Sequence, residues 1–541
     1  MSARQVGGGA AAATIVIGNG PVGQTTALLL ARWGLPVIVL DARPGRDLVG
    51  SRAICQQRDV LDVWEACGAG QVAAEGLTWS RARTFYRDRE LFAVDVPDAG
   101  RSSLPPFVNI SQARTEQILD GAVRRQPLID VRWGHEVVGV DSGAKGVRVR
   151  CRVGGGDGDG RERVVAGAYA VACGGARGSA LRTVLGVDFP GRSFDDAFLI
   201  CDIRADVPAW DAERRFYFDP QWNPGRQVLI HPCPGGTFRI DWQVEPGFDL
   251  AAARADGSLD RRIRQVVGGH RYELEWASVY RFHSRHASTF RAGRVLLAGD
   301  LAHVVAPFGA RGLNSGVADA ENAAWKIAFA LRGWADETIL DSYESERHAA
   351  ALENLEVTAA TMDFLVPHGH EALRRRHDLL EAAVHDPAAR ALVDSGRLAE
   401  PFWYVDSPLT TPAADRPWPG RPARGCPPAP VPGVILPDAP LPAGHHPAAT
   451  RVRQLCRSGL LVLARPGADL AGSRAALARI LPAGLSWRVL RLADVDPEGV
   501  LVGALACSED EMWLVRPDAH TAACVRSPAA LADAARRVLA R

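Results

Sequence analysis

No apolar run in this sequence approaches the roughly 20 residues that a membrane-spanning helix requires, so no membrane partner is expected. Charge of either sign is nearly absent as a net quantity: 63 basic and 62 acidic residues leave +1. That balance gives neither a basic field for nucleic acid nor an acidic tail. Lysine is almost missing; Lys145 and Lys326 are the only two, and arginine carries the remaining positive charge. There is no CxxC pair. The ten cysteines are scattered, too few for a disulfide framework in a chain of 541 residues, and reduced thiols in a cytoplasmic protein are the expectation. His445-His446 has no further ligands near it in sequence, so no metal site is expected. The Gly/Ala-rich start has a weak basic flank and runs straight into a glycine motif; it reads as a short tip and a strand rather than a signal peptide.

A hydrophobic fraction of 47% is ample for several cores, and at roughly 100–200 residues per domain about three are expected. Residues 14–41 read strand, glycine turn, helix, strand: Thr14–Ile17, Pro21–Trp33 and Val37–Leu40. This is a βαβ unit with a parallel pair. Segments 135–140, 147–153 and 163–172 read as an antiparallel meander, with GGGDGDG at 154–160 as one of its turns. Strand-like segments dominate again from 196 to 285 (197–203, 215–218, 227–231, 237–244 and 276–283), as an interposed sheet would. A buried strand at 294–299 and a helix at 315–332 follow. The stretch 401–443 holds 13 of the 36 prolines and reads as a linker or a wrapping segment. Residues 451–541 alternate strands and helices as a small α/β sandwich able to bury its own core, so they are expected to fold as a separate layer, dispensable for chemistry and available for a homodimer contact.

Gly18-Asn19-Gly20-Pro21-Val22-Gly23 is GxGxxG at the junction of strand and helix. Gly18 permits the tight turn, Gly20 lets a pyrophosphate approach the backbone, and Gly23 lets the helix pack on the strand. The first amides of the helix, around Pro21 and Val22, then face the phosphates. Asp41 ends the next strand, 18 residues after Gly23, where a carboxylate can accept from ribose hydroxyls; Ala42 and Arg43 follow it. The motif alone does not choose between NAD and FAD.

A second constellation chooses flavin. GRVLLAGDLAH and PFGARGLNSG lie within 293–316, with SRAI at 51–54, FVNISQARTEQIL at 107–119 and DSYESER at 341–347. On these stretches the chain resembles the single-component FAD-dependent aromatic hydroxylases of the para-hydroxybenzoate hydroxylase fold. Within them it is most similar to 3-(3-hydroxyphenyl)propionate hydroxylase and phenol hydroxylase-like monooxygenases. The resemblance is specific over roughly 13–350 and only an outline beyond. It implies an α/β fold: a Rossmann-like FAD-binding domain in two parts (13–195 and 291–400), an interposed mixed or antiparallel substrate sheet (196–290), a Pro-rich linker (401–448) and a thioredoxin-like C-terminal domain without CxxC (449–541).

It implies FAD as cofactor and NAD(P)H as a transient reductant, since no second fingerprint is present. It also implies O2 as co-substrate and oxygen transfer to a phenolic ring through a C4a-hydroperoxyflavin. Gly299 and Asp300 match the ribityl-binding turn, and Gly309, Gly312, Leu313 and Asn314 the helix start that meets the flavin's pyrimidine edge, where a dipole end stabilises the charge gained on reduction. Pro307 matches a residue over the isoalloxazine, Arg52 one near flavin and pyrophosphate, and Gln112 and Val137 further cofactor contacts; Arg52 and Pro307 are also the catalytic candidates. One departure stands out: where the family has aspartate before glycine, this chain has Gly174, which leaves Arg177 and Arg182 as substitute groups. His303 reads as a packing residue, not a base. On the interposed sheet Tyr217, His231, Arg239, Trp242, Tyr280 and His283 are substrate-pocket candidates. A flavoprotein that inserts no oxygen and a flavin-binding protein without turnover remain open alternatives.

Overall fold

The structure is a computed structural model, which describes residues 12–47, 50, 52–95, 102–154, 160–176, 178–396, 398–423 and 426–541. Ser51, Arg177 and residues 155–159 of the GGGDGDG turn lie outside these. The β-branched run Thr14–Ile17 is buried throughout and pairs in parallel with Val37–Leu40. Strands covered on both faces read as continuous apolar runs, as these do. The helix between them, Pro21–Arg32, starts on a proline that lacks only a donor the first turn does not use. It stops at Gly34, whose φ of +75° suits glycine. Ala170–Ala172 and Val295–Leu297 extend the sheet on one side and Ile129–Arg132 on the other, all in parallel, with Arg291–Ala292 as an antiparallel edge.

The meander is His135–Gly143, Gly146–Val153 and Arg161–Gly167. The single strand expected over 163–172 is therefore two. Its first half closes the meander; Ala170–Ala172 crosses to the parallel sheet beside Thr14–Ile17. The break falls at Gly167, where a Cβ would stand 2.6 Å from the Ala13 carbonyl oxygen.

The interposed sheet has eight strands. Its five long expected strands are present as Gly191–Ala205, Glu213–Phe218, Gln227–Cys233, Thr237–Val244 and Tyr272–His286. Sequence reading missed a hairpin, Arg81–Tyr86 with Arg89–Asp95, that joins it from far upstream through a parallel pairing with Glu213–Phe218. One face packs on Leu259, Ile263 and Val267 of a covering helix. The other looks toward the parallel sheet. The helix after the second glycine loop runs Arg311–Leu331, so its first turn reaches further back than the expected 315.

The C-terminal strands Leu460–Ala464, Trp487–Arg491, Met512–Val515 and Thr521–Val525 form a four-stranded sheet with helices Leu470–Ile480 and Pro528–Val538. The Pro-rich stretch wraps it: Thr411, Gly433 and Leu436 donate to the carbonyls of Ala522, Thr521 and Ala519 at 2.7, 2.6 and 2.8 Å. The expected separate layer is not what is found. Leu460, Val462, Leu514 and Val538 share one continuous core with Trp325 and Phe329. Buried ion pairs lock the same seam. Arg451 meets Asp62, Glu65 and Asp438; Arg457 meets Asp62; Arg516 meets Glu346.

Candidate functional site

One cavity of about 850 Å3 lies between the parallel sheet and the interposed sheet, and both glycine constellations line it. The three fingerprint glycines divide their work. A Cβ on Gly18 would stand 2.4 Å from the Cys173 carbonyl oxygen, and one on Gly23 1.9 Å from the Gly18 carbonyl oxygen. Those two are required by the protein's own packing. A Cβ on Gly20 would meet no protein atom within 4 Å and would point into open space at the cavity wall. Gly20 leaves room for something other than protein, and so does Gly312, for the same reason. The residues present therefore fit a dinucleotide.

Asp41 accepts from the Asn19 amide at 2.7 Å and the Arg43 amide at 2.9 Å, and pairs with the Arg43 guanidinium at 2.9 Å. Burial raises its carboxyl, but these donors outweigh burial and hold it below the usual carboxylate range. It therefore stays a hydrogen-bond acceptor at the cavity wall. Pro21, Val22, Ala42, Arg43, Arg52, Gln112 and Val137 also line the cavity, with Gly299, Asp300, Pro307, Gly309 and Leu313. Gln112 opens the helix Gln112–Arg124, capped by Ser111, and takes the Ala53 amide at 3.1 Å.

Asn314 is not in the wall. It accepts from the Gln57 amide at 3.0 Å and donates to the Cys55 carbonyl at 3.0 Å, which pins the helix start to the neighbouring strand. Sequence reading also missed Ala310. It caps that helix at φ +58°, a left-handed conformation uncommon for a residue with a Cβ, at the point where the loop turns into the cavity. His303 packs as expected: it is buried, 2.7 Å from Asp319, which also takes the Gly299 amide at 2.9 Å. Gly174 lines the cavity, whereas Arg182 turns away to the Leu301 carbonyl at 3.2 Å and the Phe189 ring at 3.9 Å.

Asp300 faces the cavity; burial raises its carboxyl, with His303 and Arg52 opposing. An Asp300→Ala variant is expected to weaken FAD binding by about 1–3 kcal/mol, the cost of removing a hydrogen bond to a charged acceptor. Titration of the apoprotein with FAD checks it, and an unchanged affinity would take Asp300 out of the site.

The interposed sheet presents Phe198, Ile200, Leu229, His231, Arg239, Asp241, Trp276, Tyr280 and Phe282 to the cavity. Three expected pocket residues, Tyr217, Trp242 and His283, are not there. Successive side chains on a strand face opposite ways. Arg239 and Asp241 take the cavity face, so Trp242 faces the other core with Ile240 and Val244. Likewise Arg214 lines the cavity while Tyr217 stacks on Phe85 at 4.6 Å behind the sheet. His283 is exposed and bonds Ser193, while its neighbour Phe282 lines the cavity.

A parallel sheet opening on a glycine fingerprint, facing a mixed, mainly antiparallel sheet across a shared cavity, is the fold of flavin-dependent monooxygenases. The chain belongs to the family described as FAD binding domain, whose model matches residues 11–358. It is 31% identical over 373 residues to a 3-(3-hydroxy-phenyl)propionate/3-hydroxycinnamic acid hydroxylase of Comamonas testosteroni, a match covering 68% of this chain and 61% of that relative's length. Among solved structures, the flavin-dependent monooxygenase PieE in complex with FAD and substrate superposes with a TM-score of 0.80 at 23% identity, covering 98% of this chain and 99% of that one. The p-nitrophenol 4-monooxygenase PnpA from Pseudomonas putida DLL-E4 superposes with a TM-score of 0.60 at 24% identity, covering 70% and 96%. At these identities the two structures establish the fold. Among the described residues no helix is long and apolar enough to cross a membrane.

Proposed function

We propose that this protein is an FAD-dependent monooxygenase that hydroxylates a phenolic or related aromatic compound at the expense of O2 and NAD(P)H. The observation that carries the reading is the shared cavity: the space at Gly20 and Gly312 is continuous with a wall of aromatic and titratable side chains from the interposed sheet. When bound, FAD supplies the redox chemistry, taking electrons from NAD(P)H and activating O2.

The chain's own residues do the rest. Gly20, Asp41 and Arg43 would hold the adenosine diphosphate end, Asp300 the ribityl chain, and the helix start at Gly312-Leu313 the pyrimidine edge. Gln112, Val137, Arg52 and Pro307 line the same cavity and would complete the cofactor's surroundings, with Arg52 and Pro307 the candidates to act in the chemistry. Phe198, Phe282 and Phe308 form an apolar cluster beside it, with ring centroids 4.6–5.8 Å apart, that keeps water from the reacting carbon. Tyr280 lies below the Arg52 guanidinium at 5.8 Å.

The purified protein is expected to carry about one non-covalent FAD per chain and to oxidise NAD(P)H faster when phenols are added, with hydroxylated product by mass. Stimulated oxidation that yields only peroxide would leave a flavoprotein oxidase. An intact protein that takes up no FAD would defeat the reading.

A further inference from the structure

The wall of the cavity contributed by the interposed sheet holds a polar cluster that cofactor binding does not use. Gln227–Cys233 and Thr237–Val244 are adjacent antiparallel strands, with Leu229 opposite Asp241 and His231 opposite Arg239. His231 and Asp241 are thus diagonal neighbours on the cavity face, 3.8 Å apart from Nε2 to Oδ2. Asp241 Oδ1 is buried without a hydrogen-bond partner. An inward carboxyl left unsatisfied is costly, and such a group persists where it has work to do.

The charged and titratable groups around Asp241 come from every neighbouring strand: Arg239 on its own, His231 beside it, Asp202 from Gly191–Ala205 and Arg214 from Glu213–Phe218. The two arginines are fixed in place. Arg239 is bidentate to Asp202 at 2.8 Å in both contacts and donates to the Arg52 carbonyl at 2.9 Å; Arg214 donates to the Ser395 carbonyl at 2.8 Å. Burial pushes the Asp241 carboxyl up to about 7, because Arg239 and Arg214 offset it only in part and Asp202 adds to it. Burial, together with Arg214 and Arg239, holds the His231 imidazole well below its ordinary value, and so neutral.

We propose that Asp241 is the general base that takes the hydroxyl proton of a phenol bound in this cavity. This rests on the hydroxylation reading. In the step, the phenolic O–H bond breaks, its electron pair stays on oxygen, and the proton bonds to the Asp241 carboxylate; nothing is oxidised or reduced. The negative charge moves from carboxylate to phenolate beside Arg239 and Arg214, which makes the ring electron-rich. A base with its midpoint near the working pH is the efficient choice. The same cluster sets specificity. The group of the substrate that meets Asp241 is a hydroxyl, because Oδ1 is an acceptor at the cavity wall with no donor of its own.

Binding is measured first, on oxidised holoenzyme without reductant, from the perturbation of flavin absorbance by phenol and by its methyl ether. Wild-type affinity for phenol should rise roughly tenfold as pH rises through about 7, where Asp241 becomes the stronger, charged acceptor. The methyl ether has no proton to give and should show no rise. Asp241→Asn should remove the rise, and Arg214→Gln, which takes away a cation that lowers the Asp241 carboxyl, should move its midpoint upward. In turnover, Asp241→Asn should lower hydroxylation of phenol about 100-fold, within the range for losing a general base. A nitrophenol already ionised at the assay pH should be spared most of that loss.

A wild-type phenol affinity flat in pH, or the same rise in Asp241→Asn, overturns the assignment whatever the reaction. Equal losses for phenol and the ionised nitrophenol overturn the base role. Should Asp241→Asn fail to hold FAD, Arg214→Gln with an unmoved midpoint overturns it instead. A wild type that binds phenol with the expected pH dependence but forms no hydroxylated product overturns the hydroxylation reading alone.

Discussion

A chain ended near residue 445 is expected to be recovered aggregated or unfolded, not as a flavin-loaded core. Removing the tail strips partners from charges that water cannot reach. Asp62 is fully buried and loses both Arg451, at 2.8 Å, and Arg457, at 2.6 Å. Glu346 loses Arg516, at 2.6 Å, and keeps Lys326. Trp325 loses the Asp518 acceptor of its indole, at 3.1 Å. Removing one partner of a buried pair costs about 3–5 kcal/mol, and two such sites would consume most of a typical stability of about 5–15 kcal/mol. The bared face of the shared core adds to the loss.

The point variant Arg516→Met isolates one site and should lower stability by about 3–5 kcal/mol, read from denaturant midpoints of the holoprotein. The seam should also be acid-labile. Burial would raise the Asp62 carboxyl, but Arg457, Arg451 and Arg453 outweigh it and bring it from 3.8 down to about 2. A depressed carboxyl contributes stability above its unfolded pKa and loses it as pH falls through the folded one. The window is therefore about pH 4 to 2, and the contribution about 2 kcal/mol. A soluble truncated chain that keeps one FAD per chain would show that the seam is dispensable.

That seam is also the clearest case of what the sequence could not disclose. Arg451 and Asp62 are 389 residues apart, and nothing local to either marks the other. The strand-and-helix pattern of 451–541 is visible because periodicity is local; the surface it packs against is not. The fingerprint was legible for the same reason that the seam was not. Gly23 answers to a clash with Gly18 within one strand, turn and helix, and Gly18 makes that turn at φ +103°, so their spacing is written into a short stretch although the Gly18 clash itself is with distant Cys173. The interposed strands were legible as strands, but their phase was not. A one-residue change of phase exchanges faces, and only the covering helix Ser258–Val267 decides that Trp242 belongs to its core and Asp241 to the cavity. The hairpin Arg81–Asp95 escaped because its pairing partner lies far downstream, at Glu213–Phe218. Asp241 itself carried no sequence signal: as one of four polar residues alternating with apolar ones along Thr237–Val244, it becomes a candidate only when its neighbours are known.

Gly20→Val is expected to give a folded, colourless protein. The backbone at Gly20 is extended, with φ −83° and ψ −176°, which any residue adopts, so the substitution adds no strain there. No protein atom lies within 4 Å of the new Cβ, so packing is untouched. The two methyl groups of valine would instead fill space at the cavity wall beside the first amides of the helix Pro21–Arg32, where a pyrophosphate has to approach. A loss of at least about 100-fold in FAD affinity, about 3 kcal/mol, should follow. The apoprotein's melting temperature should barely move. Gly18→Ala is the contrast. Its Cβ would stand 2.4 Å from the Cys173 carbonyl oxygen on a backbone at φ +103°, so that variant should lose stability before it loses flavin. The pair of measurements is flavin content of the isolated protein and melting of the stripped apoprotein. Should Gly20→Val bind FAD normally, the pyrophosphate does not pass that turn. Should it unfold like Gly18→Ala, the open space beside Gly20 belongs to the fold and not to the cofactor.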